Sequence, residues 1–284
     1  MSAMSSFVSL DSHRLPSSPR RGVTMIELLI ASSIMALLVA TLGVMANAVY
    51  SSNEYCQGNG LAAQHGRMVV ERINRAVRGA TANETNPGVM VLDETVAGYR
   101  FADTLIVWHP TGDPANRDSG PRTNELIVFA PNPSAPNELL EITDPTDSSA
   151  MPAYSNTTGW RTAIDAMKTS ATAKRIILTD LLKTGRASTS SMTQVSRACV
   201  RFDLRVLPSL TDWTAYLAAS NEANAWLALP WAQSVMGTRT GLWQSWVRFE
   251  LQLMPGSIAV NSAAAMPAVP LYGSGALYYQ MRRK

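Results

Sequence analysis

Glu27 is the residue whose surroundings demand an explanation. It stands in VTMIELLIASSIMALLVATLGVMANAVY, residues 23–50, and is the only charged side chain there. An ionised carboxylate in an apolar medium must find a cation or take up a proton, so Glu27 needs a positive partner. Elsewhere, chemistry-bearing residues are sparse. The three histidines are His13, His65 and His109, and no two have metal-ligand spacing. His65 falls on a helical stripe, where a packed residue is far commoner than a ligand. The segments DPANRDSG (113–120) and DPTDSS (144–149) carry oxygen ligands, but not in the register of a calcium loop. Asp/Pro turns are their default reading. G-x-S-x-G, P-loop and H-E-x-x-H motifs are absent. The expectation is no enzyme, no cofactor and no metal. Two cysteines, Cys56 and Cys199, exclude a disulfide scaffold and a four-thiolate zinc site. They could bridge in an oxidising compartment, against the commoner alternative of two free thiols.

The element that positions Glu27 is a long apolar stretch. The chain has 284 residues, 46% hydrophobic and 16% charged, with a formal net charge of +3. Arg14, Arg20 and Arg21 against Asp11 leave a local +2 ahead of the stretch, and about +1 scattered over the rest. Nucleic-acid binding needs a basic patch or stripe, and the one cluster, Arg282-Arg283-Lys284, reads as a solvated tail; no nucleic-acid partner is expected. Residues 28–46 carry no charge, and roughly 20 apolar residues cross a bilayer as a helix. The basic flank stays cytoplasmic, so the remainder faces away from the cytoplasm. A secretory signal with cleavage after Ala46-Asn47-Ala48 would need a shorter apolar run. A simple signal anchor fits the length but leaves Glu27 unexplained.

The octapeptide Gly22-Val23-Thr24-Met25-Ile26-Glu27-Leu28-Leu29 resembles the type IV prepilin signature, commonly G-F-T-L-I-E-L. Val23 stands for the usual aromatic residue and Met25 for leucine. The resemblance implies cleavage between Gly22 and Val23 by a prepilin peptidase, which also methylates the new Val23 amine. It further implies that Glu27 meets the Val23 amine of a neighbouring subunit, setting the axial register of assembly.

Beyond residue 50 the apolar surface narrows to a stripe, Leu61, His65, Met68, Val69, Arg72, Ile73, Ala76 and Val77, at helical spacing. Gly58-Asn59-Gly60 is expected to bend or loosen this helix, and Asn83 with Asn86-Pro87-Gly88 to end it. Strand patterns follow at 105–108, 126–129, 139–143 and 175–182. Strict alternation at 200–206 and 247–253 describes half-buried antiparallel strands, ending before Pro208 and Pro255. Opposite charges on their wet faces could pair. A short helix is expected near 160–168. Another, capped by Thr211 or Asp212 and running to about 229, should pack Trp213, Tyr216, Leu217, Leu227 and Trp231 over the sheet. The remainder of 144–197 and the stretch from 255 onward have no clear period.

The predicted fold class is α+β: a long N-terminal helix, transmembrane in its first half, packed on an antiparallel sheet with loop and helical insertions. The expected divisions are a leader at 1–22, a transmembrane part at 23–50, an amphipathic part at 51–82 and a β-rich domain at 83–284. The stretch LAAQHGRMVVERINRAVRGA, with NELIVFAPN and ELLEI, is similar to the large minor pilins of the PilW group and the J-type pseudopilins of type II secretion. The resemblance implies a minor pilin or pseudopilin that primes or caps a filament. Its partners would be the prepilin peptidase/methylase, other pilin-like subunits, the inner-membrane assembly platform and membrane lipid. Its site would be the inner membrane, with the C-terminal domain in the periplasm or outside, and then the filament. The alternative is a membrane-anchored or exported adhesin using the signal for display. Mass spectrometry of the membrane-extracted protein should find N-methylated Val23 as its first residue; a start at Val49 would mean ordinary secretion.

Overall fold

A computed structural model describes residues 22–96, 98–110, 120–188, 194–229, 240–255 and 267–282. The leader with Arg14, Arg20, Arg21 and His13, most of DPANRDSG, Trp231 and Arg283-Lys284 lie outside the described residues. The first element is helix α1, Met25–Arg78. The chain divides into two compact units, residues 1–53 and 54–284, so the division falls within α1. In the second unit, residues 54–78 of α1 pack on antiparallel β-structure, giving the expected α+β architecture.

Among the described residues, ten strands form three sheets rather than one. The first sheet joins β1 (Val89–Val96), β2 (Tyr99–Trp108), β3 (Leu126–Pro131), β4 (Leu139–Thr143) and β5 (Lys174–Thr179) in chain order, every pair antiparallel. The second pairs β6 (Thr184–Ser188) with β7 (Gln194–Ala198). The third has the order β10-β9-β8, with β8 at Val200–Leu207, β9 at Thr240–Leu253 and β10 at Val269–Arg282. As expected, β8 and β9 stop before Pro208 and Pro255. Their register sets Asp203 opposite Arg248, whose Nε donates to the Asp203 carboxylate at 3.1 Å. Strand β10 was not foreseen, because Gly273, Gly275 and Ala276 break up its apolar alternation. It pairs with β9 along its whole length without a register shift.

Helix α1 corrects two expectations. It runs through Gly58-Asn59-Gly60 and stops at Arg78, where the Gly79 N–H closes on the Arg75 carbonyl at 3.0 Å. Residues 80–88 then form turns: the Asn83 side chain accepts from the Asn86 N–H at 2.8 Å, and Gly88 adopts φ +79°. The buried stripe is Ala62, Gly66, Val69, Ile73, Ala76 and Val77, whereas Leu61 and Met68 are 46% and 54% exposed. Close approach explains the change of phase. A Cβ on Gly66 would sit 1.8 Å from a Leu271 methyl, and one on Gly275 would lie 3.1 Å from Val77. Small residues therefore face the sheet, and bulkier ones turn outward.

The largest core joins this stripe to inward residues of both larger sheets, among them Leu105, Phe129, Leu139, Phe202, Val247, Phe249 and Leu251. A second core lies on the other face of the five-stranded sheet, where helix α2 (Thr157–Thr169) buries Trp160, Ile164 and Met167. A third is aromatic. Instead of one helix to residue 229, there are two, α3 (Leu210–Ala218) and α4 (Glu222–Ala228). Ser209 caps α3, its hydroxyl accepting from the Asp212 N–H at 3.1 Å while the Asp212 carboxylate accepts from the Ser209 N–H at 3.2 Å. Asp212 thus occupies the third helical position of a capping box. Trp213, Tyr216, Trp226 and Leu229 pack on Trp243 and Met281, while Leu217 and Leu227 are exposed.

Arg72 crosses from α1 to β4, where its Nε donates to Glu141 at 2.6 Å and a second bond completes the fork. The side chain of Glu141 is only 5% exposed and that of Arg72 38%. Arg72→Met would strand a buried carboxylate. The expected loss is about 2–3 kcal/mol, below the roughly 3–5 kcal/mol of a fully buried pair because Arg72 is partly solvated. Arg72→Met with Glu141→Leu should recover most of it; chemical denaturation of the three proteins measures both effects.

Candidate membrane and assembly site

In the first unit, Gly22, Val23 and Thr24 precede the helix in non-helical conformation, and Val23 is exposed. Helix α1 then opens on a reciprocal cap. The Thr24 N–H and hydroxyl both donate to Glu27 Oε2, at 2.9 and 3.0 Å, and the Glu27 N–H donates to the Thr24 hydroxyl at 3.3 Å. The first N–H groups of a helix have no intrahelical acceptor, and a Thr-x-x-Glu pair satisfies some of them. The negative side chain also suits the positive end of the helix dipole. Sequence reading missed this role for Thr24, although the spacing Thr24…Glu27 carries it.

From Met25 and Ile26 through Leu38, Leu42 and Val49 the helix is exposed on every side. By length and composition it can cross a membrane. Its few hydroxyls turn back on the helix: Ser32 and Ser33 donate to the Leu29 carbonyl at 2.9 and 2.8 Å, and Thr41 donates to Leu38 at 2.8 Å. Polar groups satisfied within one helix are tolerated in hydrocarbon. Glu27 is then the one side chain in the segment able to take a charged partner.

Among the described residues, the other candidates do not gather into a reactive site. Cys56 is exposed on α1, Cys199 is half-buried between β7 and β8, and both are free thiols; the bridge considered for them is not formed. Burial pushes the Cys199 thiol up and so disfavours the thiolate, with Lys183 opposing. Burial also raises the Asp103 carboxyl, with Lys168 opposing. Lys168 donates to the Thr104 hydroxyl at 3.1 Å, and Arg197 forks onto Glu94 with two 2.7 Å bonds. These contacts tie α2 and the β6–β7 hairpin to the first sheet. Asp144 of DPTDSS is a turn residue: its carboxylate accepts from the Thr146 N–H and the hydroxyls of Thr146, Ser170 and Thr172. His65 is half-buried on α1, and His109 packs against Gly79.

Residues 17–43 match the family described as the prokaryotic N-terminal methylation motif. No curated protein and no solved structure matches the chain. The motif and the apolar helix together support a pilin-type subunit in general, anchored in a membrane, processed by prepilin peptidase and assembling with other pilin subunits. Replacing Thr24 by valine removes the cap hydroxyl and should weaken the first turn by about 1 kcal/mol. Hydrogen exchange in detergent micelles should show the amides of residues 26–28 opening about fivefold faster. An unchanged rate would rule out the cap.

Proposed function

We propose that the chain is a minor pilin or pseudopilin, a structural rather than catalytic subunit that enters a type IV pilus or type II secretion filament through its N-terminal helix. The observation that carries this reading is one carboxylate, Glu27, at the head of an exposed apolar helix within a methylation motif. Cleavage between Gly22 and Val23 would create an amine four residues from Glu27, one helical turn away. Glu27 would exchange the Thr24 donors for the methylated Val23 amine of a neighbouring subunit. In a low-dielectric setting that attraction exceeds its value in water, and it fixes where along the filament the new helix stops.

The similarity to PilW-type and J-type subunits, together with the size of the 54–284 unit, suits a subunit that primes or caps a filament rather than one that fills its length. The assembly platform and lipid of the inner membrane would hold it before extraction, with the second unit on the periplasmic side. Glu27→Leu tests this directly. Leucine makes the segment more apolar, so insertion should be easier by about 2.5–3.5 kcal/mol on insertion scales, and cleavage after Gly22 should persist. The expected product is processed, membrane-retained protein missing from sheared filaments and from complexes with sibling pilins. Entry into filaments at the wild-type level would refute the role of Glu27.

A further inference from the structure

The outward face of the β10-β9-β8 sheet has no part in assembly through Glu27, yet its side chains are arranged as a binding surface. Phe202, Val247, Phe249 and Leu251 point into the core, so the alternate residues line the opposite face. The register sets them in rows: Arg201, Glu250 and Tyr272; Asp203, Arg248 and Ser274; Arg205, Trp246 and Ala276; Leu207, Gln244 and Tyr278. Two adjoining depressions lie on this face, of about 650 and 210 Å³, and both are lined by Trp246. The larger is lined by Arg201, Glu250 and Tyr272. The smaller is lined by Arg205 and Gln244. Together they make an elongated trough, suited to a chain rather than a compact molecule.

We propose that this trough binds a carboxylate-bearing polysaccharide, a uronate polymer laid across the sheet face. Tyr272 and Tyr278 are 70% and 59% exposed, and flat aromatic rings in the open accept the C–H face of a sugar ring. Gln244 and Glu250 offer donors and acceptors to hydroxyls. The charges select among chain-like ligands. Arg248 is committed to Asp203 and lies over the Trp246 ring at 5.3 Å. Arg201 and Arg205 are exposed and make no hydrogen bond or ion pair among the described residues. Four residues apart on one strand, they stand about 13 Å from each other, and each can fork onto a carboxylate. Asp203 and Glu250 lie among them, which disfavours the dense phosphates of a nucleic acid while leaving acceptors for hydroxyls.

The test uses the full-length chain in detergent micelles, titrated with polygalacturonate, with dextran as the neutral polymer and with oligothymidylate as the polyanion. Polygalacturonate should bind, and dextran and oligothymidylate should bind at least about tenfold more weakly. Arg201→Ala with Arg205→Ala, and separately Tyr272→Ala, should each weaken polygalacturonate binding about tenfold with an unchanged melting midpoint, since all three side chains are exposed. Absent polygalacturonate binding, unchanged affinity in both variants, equal binding of dextran, or tighter binding of oligothymidylate would each overturn the proposal. Such a failure leaves assembly through Glu27 untouched, because the two surfaces share no residue.

Discussion

No residue in the apolar part of α1 is buried among the described residues, and this constraint governs the rest of the molecule. Hydrophobic side chains left in water forgo about 25 cal/mol for every Å² that burial would remove, so a segment exposed on all sides is stable only in lipid or against other helices. Its backbone is satisfied by helix formation and its hydroxyls by the preceding turn. One group is left that lipid cannot satisfy, the Glu27 carboxylate. In the isolated chain Thr24 holds it by two hydrogen bonds, from its N–H and its hydroxyl. Those bonds satisfy its geometry but bring no positive charge, so a cationic neighbour remains the better partner.

The second unit solves a different packing problem. Residues 54–78 of α1 form a wall shared by two sheets whose strands do not pair with one another among the described residues. A helix can touch both only by coming close, which excludes large side chains from its inner face. Ala62, Gly66 and Ala76 permit the approach, and Gly273 and Gly275 of β10 admit Phe249 and Val77 from the other side. The side chain of Phe249 occupies the space above Gly273, so a substitution at either position would force the other to move. Arg72 and Glu141 add a directional bond at the same wall and set the rotation of the helix about its axis.

Charge is used sparingly and in pairs. Arg197 on Glu94 holds the β6–β7 hairpin to the first sheet, and Arg248 on Asp203 links β9 to β8 across their wet faces. Exposed pairs of this kind contribute little stability, commonly under about 1 kcal/mol; their effect is to fix register and orientation. Against that background Arg201 and Arg205, in rows with Glu250 and Trp246 and without an ion pair among the described residues, stand out.

Much of this was legible in the chain itself. Strands β8 and β9 follow from period-two alternation, which any strand with one wet face must show, and β4 from a short run set off by a Pro/Asn stretch. Helix α2 follows from its apolar spacing around Trp160, and the membrane segment from its length without charge. Glu27 was legible as a misfit, a carboxylate where hydrocarbon is expected. The phase of the α1 stripe was not. Hydrophobicity favours Leu61 and Met68, whereas the sheet admits only Ala62 and Gly66. Strand β10 was equally hidden, because the glycines that let α1 and Phe249 approach also erase its alternation. The division has one physical cause. Period, charge and capping spacing depend on residues near each other in sequence, and the chain displays them directly. Which face is pressed against which, and how closely, depends on side chains such as Gly66 and Leu271 that meet only once the chain has folded.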